Sequence, residues 1–294
     1  MGSSDFSGLW VPLVTPFRDG RVDEAALRRL VRHLSEGGAG GFVACGSTGE
    51  AASLSHAEQL AVLDVVVSAG GGKPVLMGLA GTQAPEMLER LRQFAQAGAQ
   101  AVLVSSPYYL RPSQAGLVAH FQELAEGSPV PLVLYDVPPR TGVTMSLETL
   151  RALAAHPNIA AIKDCGGDTE KTRSLVADGR LAVLAGNDDA IFSTLCMGGA
   201  GAITASAHVL TPAYAEMVAA TRAGQLARAR RLFHALTPLT LALFAEPNPS
   251  VFKAVLAHQG WLQNELRAPH TAATQEGVAR ALAALESAER ALAD

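Results

Sequence analysis

Short apolar runs and longer amphipathic stretches alternate along most of this chain. Runs at 9–13, 41–44, 74–78, 101–105, 131–135, 159–163, 181–185 and 201–204 have the length and continuous apolar character of strands buried on both faces. Between and after them, stretches at 24–35, 56–68, 85–97, 114–125, 147–155, 169–177, 189–197 and 212–222 space apolar residues three and four apart, as a helix with one buried face does. Ser55-His56-Ala57-Glu58 has the capping-box pattern, and Gly37, Gly98 and Gly127 fall where helices should stop. Eight strand–helix units in succession predict an α/β fold, a closed (β/α)8 TIM barrel; a doubly wound open sheet is the other arrangement the pattern allows. Three more helical patterns follow at 225–244, 249–258 and 271–293. They predict a C-terminal helical region, 224–294, packed on a barrel formed by 1–223 or on a partner subunit.

Composition narrows the function. Hydrophobic residues make up 49% of the 294, enough for a large core, while charged residues are only 17% and the net charge is −4. Lys and Arg form no cluster, which argues against nucleic acid as a partner. Gly, Pro or a charge interrupts every apolar stretch well before the ~18 residues of a membrane span, and no signal peptide is evident, so a cytoplasmic location is expected. Cys45, Cys165 and Cys196 are odd in number and lack CxxC spacing, which fits reduced thiols. The eight histidines are scattered without HxxxH or HExxH spacing, so a metal site is not indicated.

The polar residues supply the chemistry. A parallel barrel carries its active site at the C-terminal ends of its strands. There the sequence places Cys45-Gly46-Ser47-Thr48-Gly49-Glu50, Ser105-Ser106-Pro107-Tyr108-Tyr109, Tyr135 followed by Arg140, Lys163, Gly186-Asn187-Asp188-Asp189 and Thr204 to His208. Only four of the 23 cationic side chains are lysines. Lys73 precedes a strand and so sits on the opposite rim, Lys171 falls in a helix where a solvated face is expected, and Lys253 belongs to the appended helices. Lys163 alone is placed as an amine nucleophile, and burial there should lower its pKa, as imine formation needs. The other reading makes Lys163 a rim cation paired with Asp164 or Asp136. Tyr135 taken singly is a core tyrosine, Arg140 a brace for its own loop against Asp136, and Ser47-Thr48-Gly49 an ordinary turn whose N–H groups could also hold an anion.

In order and spacing, Gly46-Ser47-Thr48-Gly49-Glu50, Pro107-Tyr108-Tyr109, Tyr135-x-x-Pro-x-Arg140-Thr-Gly142, Ile162-Lys163-Asp164 and Glu246-Pro247-Asn248-Pro249 resemble the dihydrodipicolinate synthase/N-acetylneuraminate lyase family. The resemblance implies a (β/α)8 barrel with C-terminal helices, a homotetramer of tight dimers, and class I aldolase chemistry on pyruvate and an aldehyde. It implies that Lys163 forms a covalent imine with pyruvate, with no metal or organic cofactor. Tyr135 would shuttle protons. Ser47, where threonine is usual, would link Tyr135 to Tyr109 in a hydroxyl relay, Tyr109 reaching in from the neighbouring subunit. The backbone around Ser47 and Thr48 would grip the pyruvate carboxylate, Arg140 would bind the second substrate's carboxylate, and Ile203 and Gly186 would line the substrate site.

Pro-x-Arg140-Thr-Gly142 is similar to the synthase branch, which implies condensation of pyruvate with aspartate 4-semialdehyde to 4-hydroxy-tetrahydrodipicolinate. Ser47, Asp136, Pro139, His208 and the Asp164-Cys165-Gly166-Gly167-Asp168 segment depart from the commoner forms. They leave open a relative acting on another 2-keto acid, such as a 2-keto-3-deoxy sugar acid, or, in a different class, a catalytically silent keto-acid-binding barrel. His56, Glu86 and Tyr108 match the inhibitor cleft of lysine-regulated relatives, but Gln59 and Thr82 do not, so weak or absent lysine inhibition is expected.

Overall fold

Eight parallel strands close on one another into a barrel in which strands consecutive in the chain lie side by side. The structure, a computed structural model, describes residues 6–293. The barrel strands are β1 (Gly8–Pro12), β4 (Gly41–Ala44), β5 (Val75–Leu79), β6 (Ala101–Ser105), β7 (Leu132–Asp136), β8 (Ile159–Asp164), β9 (Ala182–Ala185) and β10 (Gly201–Ile203). Between β1 and β4 lies a two-stranded hairpin, β2 (Phe17–Arg18) and β3 (Arg21–Val22), too short to leave a period in the sequence. Helices α1 (Glu24–Glu36), α2 (His56–Ala69), α3 (Ala84–Gln96), α4 (Gln114–Gly127), α6 (Leu147–Leu153), α7 (Thr169–Asp178), α8 (Ile191–Cys196) and α9 (Thr211–Arg222) ring the barrel. A one-turn helix, α5 (Pro138–Thr141), carries Arg140 and was not legible in the pattern. The capping box at Ser55 and Glu58 forms as expected.

Strand side chains alternate between two environments. Trp10, Val43, Leu76, Leu103, Val133, Ala161, Leu184 and Ile203 fill the barrel interior, with Tyr135 packed on them. The alternate positions face the helices in a second, larger core. Registration of β7 on β8 sets Tyr135 beside Lys163 inside the barrel and Asp136 beside Asp164 one step further along. Both strands run one residue past the bounds read from the sequence, because these aspartates are buried and paired rather than solvated.

The appended helices are α10 (Leu226–Leu243), α11 (Ser250–His258) and α12 (Gln275–Ala293). The last begins four residues later than its apolar spacing suggests. Thr274 ends the irregular approach: its hydroxyl accepts the Gly277 N–H at 3.0 Å, and its own N–H donates to Glu246. Polar contacts fasten this region to the N-terminal half. Lys253, fully buried, pairs with buried Glu50 and donates to the Glu265 carbonyl at 2.8 Å. The Arg267 N–H donates to Glu50 at 3.0 Å, and its guanidinium binds Glu58 at 2.5 Å.

His208 joins the ends of β1 and β10. Its Nδ1 lies 2.8 Å from the Ala205 carbonyl, which can only accept, so Nδ1 carries the proton. Its Nε2 then accepts the Val14 N–H at 3.2 Å. A fully buried imidazole held between these partners is neutral, and burial lowers its pKa from 6.5 to about 4.

Candidate active site

A cavity of about 430 Å³ opens at the C-terminal ends of the strands. Lys163, Tyr135, Ser47, Thr48, Arg140, Gly186 and Ile203 all line it. The structure thus brings together seven of the eight residues singled out from the sequence. Tyr109 is the exception. It lines neither of the two cavities, stands 91% exposed, and adopts a left-handed backbone at φ 71° on the tip formed by Tyr108, Tyr109 and Leu110. Among the described residues no hydrogen bond links Ser47, Tyr135 and Tyr109, so the hydroxyl relay is not closed within one chain.

Lys163 is the next-to-last residue of β8, follows its apolar run, and is 7% exposed. Its ammonium lies 4.5 Å from the centroid of the Tyr135 ring. Gly186 on the neighbouring strand end lets it sit there: a side chain at that position would fall 2.9 Å from Lys163 Cγ and 2.4 Å from Cys165 Sγ. Asp188 is buried in the same wall, where it accepts the Thr204 hydroxyl at 2.5 Å and the Ser206 N–H at 2.7 Å. Burial raises the Asp188 carboxyl against those hydrogen bonds.

The amine does not titrate as the sequence suggested. Burial pulls the Lys163 pKa down, but attraction to Tyr135, then Cys165 and Asp188, outweighs it and leaves the pKa raised. The expectation of a lowered value rested on burial, which is the largest single influence on Lys163 but is outweighed by the others together. Burial in turn pushes the Cys165 thiol up to about 11. The surroundings of Lys163 therefore favour its ammonium form beside the Tyr135 ring.

The loop after β4 forms a cup between two left-handed residues, Cys45 and Glu50. The Gly49 and Glu50 N–H groups turn inward onto Gly46 and Ser47 carbonyls. Thr15 holds the Gly49 carbonyl at 2.7 Å, and the Asn248 amide donates to the Thr48 hydroxyl at 3.0 Å. Asn248 lines the cavity with a buried Oδ1 that has no hydrogen-bond partner among the described residues. The sequence reading noted its motif but did not place it in the site, because it arrives from the appended helices, 200 residues beyond the loop it touches.

Lys171 corrects the sequence reading outright. Expected on a solvated helix face, it is 5% exposed and pairs with Asp136 at 2.5 Å and Asp164 at 3.6 Å. These are the two carboxylates weighed as partners for Lys163, and Asp136 was weighed for Arg140 too; Lys171 occupies both. A second cavity, about 530 Å³, lies across Tyr135 and Ser47 and is lined by Gln59, Arg90 and Tyr108 among others. There Arg90 donates to Gln59 at 2.5 Å.

The sequence matches the Dihydrodipicolinate synthetase family over residues 5–288. It is 40% identical over 279 residues to the 4-hydroxy-tetrahydrodipicolinate synthase of Methanothrix thermoacetophila, covering 94% of each chain. To the enzyme of the same name from Erythrobacter litoralis it is 41% identical over 280 residues, covering 92% of this chain and 94% of that one. Among solved structures, the dihydrodipicolinate synthase of Thermotoga maritima superimposes with a TM-score of 0.94 at 32% identity, over 97% of this chain and 99% of that one. The chloride-inhibited synthase of Acinetobacter baumannii, complexed with pyruvate, gives 0.93 at 34% identity over 96% and 99%.

Proposed function

The chain belongs to the dihydrodipicolinate synthetase family, and on that basis we propose that it condenses pyruvate with aspartate 4-semialdehyde to 4-hydroxy-tetrahydrodipicolinate through an imine on Lys163. The observation that carries this reading is a buried lysine with a tyrosine phenol against it, on the wall of a cavity about 430 Å³ in volume that is lined by a hydroxyl-bearing loop and one arginine. Because the resting amine is protonated, a proton has to leave before attack, and Tyr135 is the group positioned to move it. The neutral amine adds to the pyruvate ketone, and loss of water gives a protonated imine. That cation withdraws electrons from the methyl carbon, which gives up a proton and becomes the enamine nucleophile. Attack on the aldehyde forms the carbon–carbon bond. The acceptor's amino group then closes the ring on the imine carbon and frees Lys163.

In this reading the backbone at Ser47 and Thr48 holds the pyruvate carboxylate and Arg140 the carboxylate of the acceptor, with Gly186 and Ile203 shaping the wall. No metal or organic cofactor enters the scheme. The near-complete exposure of Tyr109 supports a site finished by the neighbouring subunit's copy in a tight dimer, and the family membership supports a homotetramer of such dimers in the cytoplasm.

Pyruvate plus borohydride should add the mass of a reduced imine at Lys163. Turnover of pyruvate with aspartate 4-semialdehyde, set beside cleavage of 2-keto-3-deoxy sugar acids, identifies the acceptor. No adduct at Lys163 would defeat the aldolase reading, and activity confined to the sugar acids would move the chain to the second branch.

A further inference from the structure

Behind the two strands that present Tyr135 and Lys163 lies a buried charge cluster that the condensation scheme does not use. Lys171, near the start of α7, places its ammonium 2.5 Å from Asp136 Oδ2 and 3.6 Å from Asp164 Oδ1. All three side chains are at most 4% exposed. The remaining oxygens are committed as well. Asp136 Oδ1 accepts the Met145 N–H at 3.2 Å, Asp164 Oδ1 the Gly166 N–H at 2.9 Å, and Asp164 Oδ2 the Thr172 hydroxyl at 2.8 Å. Gly166 has to lack a side chain here, since a Cβ would come within 2.6 Å of the Lys171 ammonium and 3.0 Å of Asp136. The helix start that carries Lys171 is fixed in turn by Asp168, which accepts the Glu170 and Lys171 N–H groups at 3.0 Å each.

The position of this cluster gives it a consequence for the reaction. Tyr135 pairs in register with Lys163, and the next pair along is Asp136 with Asp164. One cation therefore ties together the ends of β7 and β8 one residue beyond the phenol and the amine. The Cys165 N–H adds a bond to the Asp136 carbonyl at 2.9 Å. Two buried carboxylates side by side would push the strand ends apart unless a cation lay between them. From this we infer that Lys171 is a positioning residue for imine formation: bridging Asp136 and Asp164 from outside the barrel, it sets the separation of the strand ends and so holds Tyr135 against Lys163. The inference rests on Lys163 being the imine-forming amine.

Single-turnover imine formation, trapped with borohydride and read by mass at Lys163, provides the test, together with kcat/KM for pyruvate. Three variants are compared with the parent chain. Lys171→Met leaves two uncompensated carboxylates and should lower both stability and kcat/KM. Asp136→Asn with Lys171→Met removes the repulsion while keeping an acceptor for the Met145 N–H. It should recover the thermal midpoint yet still form the imine about tenfold to a hundredfold more slowly, since misplacement on the order of 1 Å carries a cost of that size. Lys171→Arg keeps the cation and should restore most of the rate. A double variant that is as fast as the parent chain would overturn the inference. So would one that does not fold, because the cluster would then serve the fold rather than the placement. Absence of trapping in the parent chain would instead defeat the assignment of Lys163, so the two failures are separable.

Discussion

Acidification should weaken this protein through one buried imidazole. His208 is fully buried, neutral, and committed at both nitrogens: Nδ1–H to the Ala205 carbonyl, Nε2 to the Val14 N–H. Protonation would place a second N–H against that of Val14 in a fully buried position. The folded-state pKa of about 4 lies below the ordinary 6.5, so the unfolded chain binds the proton first. Stability tied to His208 is thus complete above pH 6.5 and lost as the pH falls toward 4. At about 1.4 kcal/mol per pKa unit, the loss is about 2 kcal/mol by pH 5 and about 3 kcal/mol by pH 4. Urea unfolding at pH 7, 6, 5 and 4 measures it, with His208→Gln as the control. The glutamine carbonyl can accept the Val14 N–H but cannot also serve Ala205, so the variant should start about 1 kcal/mol less stable at pH 7. The gap should then close and reverse on acidification. A difference between the two proteins that stays constant from pH 7 to 4 would refute the reasoning, since His208 would then not be the group taking up the proton.

Three further expectations concern the site and its supports. Lys253→Met should destabilise the fold by about 3 kcal/mol or more by stranding the buried Glu50 carboxylate, and Glu50→Gln added to it should return much of that, as read by denaturant unfolding. Single-turnover trapping at Lys163 should speed up by about tenfold per pH unit from 7 to 9, because a raised amine pKa keeps the neutral nucleophile scarce in that window; a flat profile would contradict the protonated resting state. Arg140→Ala should raise the KM for aspartate 4-semialdehyde by about tenfold to a hundredfold, the worth of a hydrogen bond to a charged group, while steady-state kinetics should show little change in the KM for pyruvate.

The barrel was legible because burial on both faces of a parallel strand and on one face of a helix leaves two distinct periods in the sequence. The hairpin at Phe17 to Val22 and the single turn carrying Arg140 were not, since two to four residues cannot express a period. Site residues at strand ends could be named because the fold fixes where strand ends gather. The face of Lys171 could not be foreseen: local spacing treats an isolated charge as solvated, and only the approach of Asp136 and Asp164, 35 and seven residues away in sequence, makes the interior the better place for it. The titration of Lys163 failed for a similar reason. Burial alone could be anticipated, but the groups that outweigh it come from β7, from the residue two beyond the lysine, and from the loop after β9. Asn248 was missed because its distance in sequence from Thr48 hides their contact.

The two-residue alternation of β7 and β8 has a consequence for how this protein can diversify. Tyr135 and Lys163 look inward to the reaction, while Asp136 and Asp164 look outward to the scaffold. Mutations in loops such as that bearing Pro139 and Arg140 can therefore reshape the cavity without disturbing the outer charges that pair behind Tyr135 and Lys163. Drift among the outer residues can exchange one means of joining the strands for another while the chemistry inside stays the same. An inherited reaction and an adaptable substrate range are thus encoded in separate sets of positions, and selection can act on either one alone.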